Sequence, residues 1–132
     1  MIGRSFQITL TLLGMSLSIP AFSHHSFLAQ YNDDTSVRIE GVVTEVWYQN
    51  PHARVYVEVT GGDGETVVWE TETYPRNILV RLGWRHDDLN VGDYVVVTGR
   101  RARDGGKRLQ IITITRPSDR WQGIGYSPDS ID

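Results

Sequence analysis

Four histidines and no cysteine set the chemistry available to this 132-residue chain. Without thiolates there is no disulfide scaffold, zinc ribbon or thioredoxin-type centre, so a metal site must use nitrogen and oxygen. His24 and His25 are adjacent, and His52 follows an Asn50-Pro51 turn signal. His86 sits among Arg85, Asp87 and Asp88, where an exposed, paired role is expected. Consecutive residues of an extended chain point to opposite sides, so His24 and His25 do not readily give two ring ligands on a regular strand. A free N-terminus at His24 changes this, because its α-amine and ring nitrogen can chelate one ion.

The residues before His24 supply a way to expose that amine. Arg4 is followed by an apolar run from Phe6 to Ile19, then Pro20 and the small-residue site Ala21-Phe22-Ser23. A basic start, a short apolar run and small residues before a cut form a secretory signal. At 14 residues the run is shorter than the roughly 20 of a bilayer span. Residues 1–23 are therefore expected to be a cleaved signal peptide, with cleavage after Ala21 the competitor. Cleavage after Ser23 leaves 109 residues beginning at His24, in a periplasmic compartment, with no membrane anchor and a formal charge moving from −3 to −4. The amine and imidazole of such a His24 resemble the histidine brace of secreted copper proteins. A third nitrogen would come from His25 or His52, and nitrogen ligation favours Cu(II). The plain alternative is that His24 and His25 form a loose stub and His52 is a turn residue.

The elements that must position these residues are strands. Residues 24–36 are polar, with Asn32-Asp33-Asp34 as a turn signal, and read as an N-terminal extension. Val37 to Tyr48 is rich in β-branched and aromatic residues, and its apolar parity slips near Gly41, the sign of a bulge or bend. Ala53, Val55, Val57 and Val59 alternate with Arg54, Tyr56, Glu58 and Thr60, a half-buried strand. Gly61-Gly62-Asp63-Gly64 makes a hairpin into a third strand from Glu65 to about Thr73, with Val67 and Trp69 inward. Pro75 starts a short helix with Ile78, Leu79 and Leu82 on its apolar face and Gly83 after its end. Tyr94 to Gly99 and Leu109 to Thr115 are two further strands around an Asp104-Gly105-Gly106 hairpin. The order predicts an all-β domain with one short helix, a small five-stranded OB-fold-like barrel over residues 37–116. Residues 117–132 have no period and read as a loose tail.

The even positions of the second strand place His52, Arg54 and Tyr56 outward. Arg54 and Tyr56 with Trp47 and Tyr48 form a candidate ligand face, able to stack a sugar, an aromatic metabolite or a partner's peptide without any metal. Glu70 and Glu72, about 7 Å apart on one strand face, could form an acid–base pair, but a solvated outer face is the simpler reading. Arg100, Arg101, Arg103, Lys107 and Arg108 bracket the last hairpin and read as a soluble, charge-protected tip. Nucleic acid is not expected as a partner, because the net charge is negative. No nucleophile elbow or phosphate loop is present, so the chain reads as a binding module and not an enzyme.

His24-His25-Ser26-Phe27, the Gly41-Val42-Val43-Thr44 strand, Asn50-Pro51-His52-Ala53, Trp69-Glu70, Gly83-Trp84, and Leu89 through Gly92-Asp93 to Thr98-Gly99 occur in a recognisable order. Over about residues 23–116 the chain resembles a family of small exported bacterial proteins classed as a domain of unknown function. The resemblance implies a periplasmic, OB-like β domain and supplies no activity. Its histidine motifs fall on His24, His25 and His52. Tyr74-Pro75 departs from the Ser-Pro turn more usual there.

Overall fold

The computed structural model describes residues 29–126. The expected signal peptide, His24 and His25 lie outside the described residues. The elements run β1 (Tyr31–Trp47), β2 (Arg54–Thr60), β3 (Thr66–Glu72), α1 (Arg76–Arg81), β4 (Tyr94–Ala102), β5 (Arg108–Arg116) and β6 (Trp121–Ile124). Among these residues no helix is long and apolar enough to cross a membrane.

Five strands close on themselves. β1 pairs antiparallel with β2 and β4, β2 with β3, and β4 with β5, while a parallel β3–β5 pairing completes the ring. This is the all-β, OB-like arrangement expected from the strand order, with α1 between β3 and β4. Val43, Val57, Val95, Val97, Leu109, Ile111 and Ile114 fill the interior, and Leu79 of α1 is buried with them. Such closure removes the free strand edges that a flat five-stranded sheet would expose.

The parity slip in β1 has a structural cause three residues past Gly41. The β1–β2 register shifts between Val43 and Glu45, so Ile39 and Val43 point inward before the bulge and Val46 after it. Gly41 serves close approach instead, because a Cβ there would overlap the Glu58 carbonyl oxygen. The β2–β3 hairpin turns where four near-consecutive glycine and aspartate residues allow it, with Gly64 at φ 83°. Gly83 follows α1 at φ 91°, as its C′ position requires.

Three expectations are corrected. β1 begins at Tyr31 and not at Val37, because the polar Asn32–Thr35 stretch is accommodated as an irregularity in the pairing between Tyr31–Ala102 and Ser36–Arg100. The segment after Pro117 is not wholly loose: Trp121–Ile124 forms β6 against β5 and makes a sixth strand beside the ring. Trp84 fixes it, with its ring edge-on to Trp121 at 5.2 Å and its indole N–H donating to the Ile124 carbonyl at 3.0 Å. Val67, expected inward with Trp69, is 39% exposed, since it lies at the open end of the hairpin, where no strand covers it.

Candidate functional site

His52 stands just before β2, after the turn at Asn50-Pro51, which contains a cis peptide. The β2–β3 register places Arg54 opposite Glu72 and Tyr56 opposite Glu70, so an outward column of polar side chains forms beside His52. His52 Nδ1 lies 3.9 Å from Glu72 Oε1 and is itself buried, while the side chain as a whole keeps 21% of its surface exposed. The exposed part of the imidazole therefore lies on atoms other than Nδ1. At that distance the carboxylate lies behind the ring, beyond direct hydrogen-bond reach.

Glu72 is the centre of this cluster. The Tyr31 hydroxyl donates to Glu72 Oε2 at 2.8 Å, and an Arg54 guanidinium nitrogen donates to Oε1 at 3.4 Å. Arg54 also faces Glu70 Oε1 at 3.1 Å. Glu72 was expected on a solvated face with Glu70; it is buried because Tyr31, arriving at the start of β1, lies over it. Burial is the main reason the Tyr31 hydroxyl is held above the ordinary phenol range, and the Glu72 charge and hydrogen bond add to it. The two glutamates thus have different partners, Arg54 for Glu70 and mainly Tyr31 for Glu72, and do not form a matched acid–base pair.

Tyr31 is fastened on its other side as well. Arg103 donates from Nε to the Tyr31 carbonyl at 2.8 Å and from its backbone N–H to the Gln30 carbonyl at 2.9 Å. Arg100 meets Asp33 at 3.5 Å and Gln110 Oε1 at 3.2 Å. Asp33, from the Asn32-Asp33-Asp34 stretch, is thus engaged by Arg100, and Glu72 holds the place beside His52. The remaining cations of the last hairpin are also engaged within the chain. Arg101 donates to the Gly105 carbonyl, Arg108 meets Asp104 at 2.6 Å, and Lys107 sits 5.1 Å from the Trp69 ring centre.

The four residues of the proposed ligand face divide. Trp47 and Tyr56 meet edge-on at 5.9 Å, and the Arg54 guanidinium lies 5.9 Å from the Trp47 ring centre. Tyr48 is separated from Trp47 because adjacent residues of an extended segment point to opposite sides. It packs against the core, donates to the Trp84 carbonyl at 3.1 Å and meets His86 edge-on at 5.7 Å. Arg54 is committed to two carboxylates, so Trp47 and Tyr56 are what the outer face offers a ligand. Among the described residues no group of three or more His, Cys, Asp or Glu side chains is placed to hold a metal.

Sequence reasoning missed Tyr31 and the role of Glu72. The signal for Glu72 lay in the hairpin, because a turn at Gly61–Gly64 pairs Thr60 with Thr66 and carries the register back to Arg54 and Glu72. For Tyr31 the only local hint was one large aromatic residue at the head of a polar stretch.

The ring and its outer-wall cluster define a small all-β domain with a histidine, a carboxylate and a tyrosine joined at the entry of its first strand. A family model described as a family of unknown function (DUF6152) matches residues 13–110, and the chain belongs to that family. No curated protein matches it.

Proposed function

We propose that this protein is an exported, periplasmic binding module for a transition metal, Cu(II) by preference. His24 as the first residue of the processed chain would contribute its amine and imidazole, and His25 and His52 would complete the nitrogen set. The observation that carries the reading is the junction of His52, Glu72 and Tyr31. Glu72 backs the His52 ring at 3.9 Å and accepts from Tyr31 at 2.8 Å, and Tyr31 lies seven residues after His24 in the chain. Seven residues reach at most about 25 Å, enough for the first residue of a processed chain to meet His52. The donors present within the described residues fit a half-built site: one imidazole with a carboxylate behind it. The other nitrogens must come from the segment before residue 29. Nitrogen donors without thiolate suit Cu(II), which stands at the top of the divalent affinity order.

The test begins with mass spectrometry of the exported protein, expected to start at His24. Cu(II) titration should then give one tight equivalent. His24→Ala and His52→Ala should weaken it severely, and Glu72→Gln by about 10–100-fold. A processed chain that starts elsewhere, or that starts at His24 and binds no Cu(II), overturns the proposal.

A second reading rests on Trp47, exposed, and Tyr56, half-buried, whose edge-on rings can stack a small ligand or a partner's side chain with no metal. It predicts tryptophan fluorescence that responds to a sugar or aromatic compound and not to Cu(II) or a chelator.

A further inference from the structure

Tyr48 borders a groove of about 260 Å³ formed with Val46, His86, Asp87, Leu89, Asn90 and Val91. The groove shares Val46, Tyr48, His86 and Leu89 with a narrow cleft of about 10 Å³, walled further by Ala53, Val55 and Trp84. The cleft has room for about one water or one ligand oxygen. Thr73 lines it, and Thr73 is fully buried with a hydroxyl that has no hydrogen-bond partner among the described residues. A buried hydroxyl left in this state costs free energy until something in the cleft bonds to it. Val91, on the rim, keeps 69% of its surface exposed, so apolar surface is held open to solvent at the mouth.

We infer that this groove and cleft form a binding site for small uncharged ring compounds bearing a single hydroxyl, the phenol class. The walls mix polar His86, Asp87 and Asn90 with the Tyr48 ring and the aliphatic Val46, Leu89 and Val91, against which a ring can pack. The charged side chains along them are compensated: Arg85 faces Asp87 at 3.4 Å, and Arg54 faces Glu70 at 3.1 Å. A net charge on the ligand would therefore find no counterion. Thr73 lines the cleft, and a threonine hydroxyl can donate to or accept from a ligand hydroxyl. This site shares Arg54 and Trp47 with the outer wall at the cleft and does not require a metal.

The experiment titrates the full processed protein with phenol and, in parallel, with benzene, followed by NMR shifts of the Trp84 indole and Tyr48 ring. Phenol should perturb both residues and bind more tightly than benzene. Thr73→Val keeps the shape and removes the hydroxyl. It should fold at least as stably as the parent, lose about tenfold in phenol affinity and leave benzene unchanged. Val91→Glu, an exposed substitution at the rim, should weaken both compounds. Failure of phenol to shift Trp84 and Tyr48, or equal phenol affinity in Thr73→Val and the parent, overturns the inference.

Discussion

Tyr31 is a neutral donor locked onto a buried carboxylate, and its ionisation is opposed from both sides. Burial disfavours the phenolate first, and the Glu72 charge and hydrogen bond disfavour it further. Because the folded-state pKa lies above the ordinary value near 10, the stabilisation is fully present below pH 10. Above that pH the unfolded chain ionises while the folded one resists, so stability falls as pH rises. The expected result is a steeper loss of unfolding free energy above pH 10 in the parent than in Tyr31→Phe, read from urea denaturation at a series of pH values. Tyr48, Tyr56 and Tyr126 are also raised by burial and supply the slope that remains in the variant. At neutral pH, Tyr31→Phe should itself cost about 1–3 kcal/mol, because Glu72 loses a buried donor.

Among the elements, β1 carries the most decisions. Its bulge between Val43 and Glu45 turns Val46 inward and leaves Trp47 outward, 37% exposed, beside Tyr56. Its Gly41 lets β2 approach closely at Glu58. Gly41→Ala should therefore destabilise by about 1–3 kcal/mol, because the Glu58 backbone would have to move. Gly62→Ala, in open space at the hairpin tip, should stay within about 0.5 kcal/mol. The midpoint of urea unfolding at unchanged slope separates the two. β6 shows the same economy of space, since a Cβ on Gly123 would enter the Trp84 ring. The period of two in β2 was readable because one side faces the core and the other faces water. β6 was not readable, because a four-residue strand whose central residue is a glycine packed under a tryptophan shows no alternation.

At the scale of the whole molecule, ring closure is linked to β1 and β6. The closing β3–β5 pair joins Glu70 to Arg108, Thr71 to Leu109 and Glu72 to Gln110, so the outer-wall cluster sits on the seam. Tyr31, at the start of β1, lies on that seam, and Tyr126, just past β6, packs against Tyr31 and stacks on Tyr74 at 4.5 Å. β6 and Tyr126 lie beyond the 13–110 span of the family match. Deleting residues 117–132 removes β6 and uncovers Trp84. The truncated protein should melt about 10 °C or more below the parent by circular dichroism, since each kcal/mol is worth about 4–8 °C in a domain of this size.

The local pieces were legible along the chain: the strand alternation, the glycine turns and the short helix. Those follow from backbone sterics and a nearby water–core boundary, which act over a few residues. The sequence also marked His52 as outward. The tertiary contacts bury Glu72, lay Tyr31 over it and join a sixth strand to the ring. These depend on contacts between residues tens of positions apart, such as Tyr31 with Glu72 and Trp84 with Ile124. Side-chain periodicity along a segment does not encode which distant segment will come to lie over it.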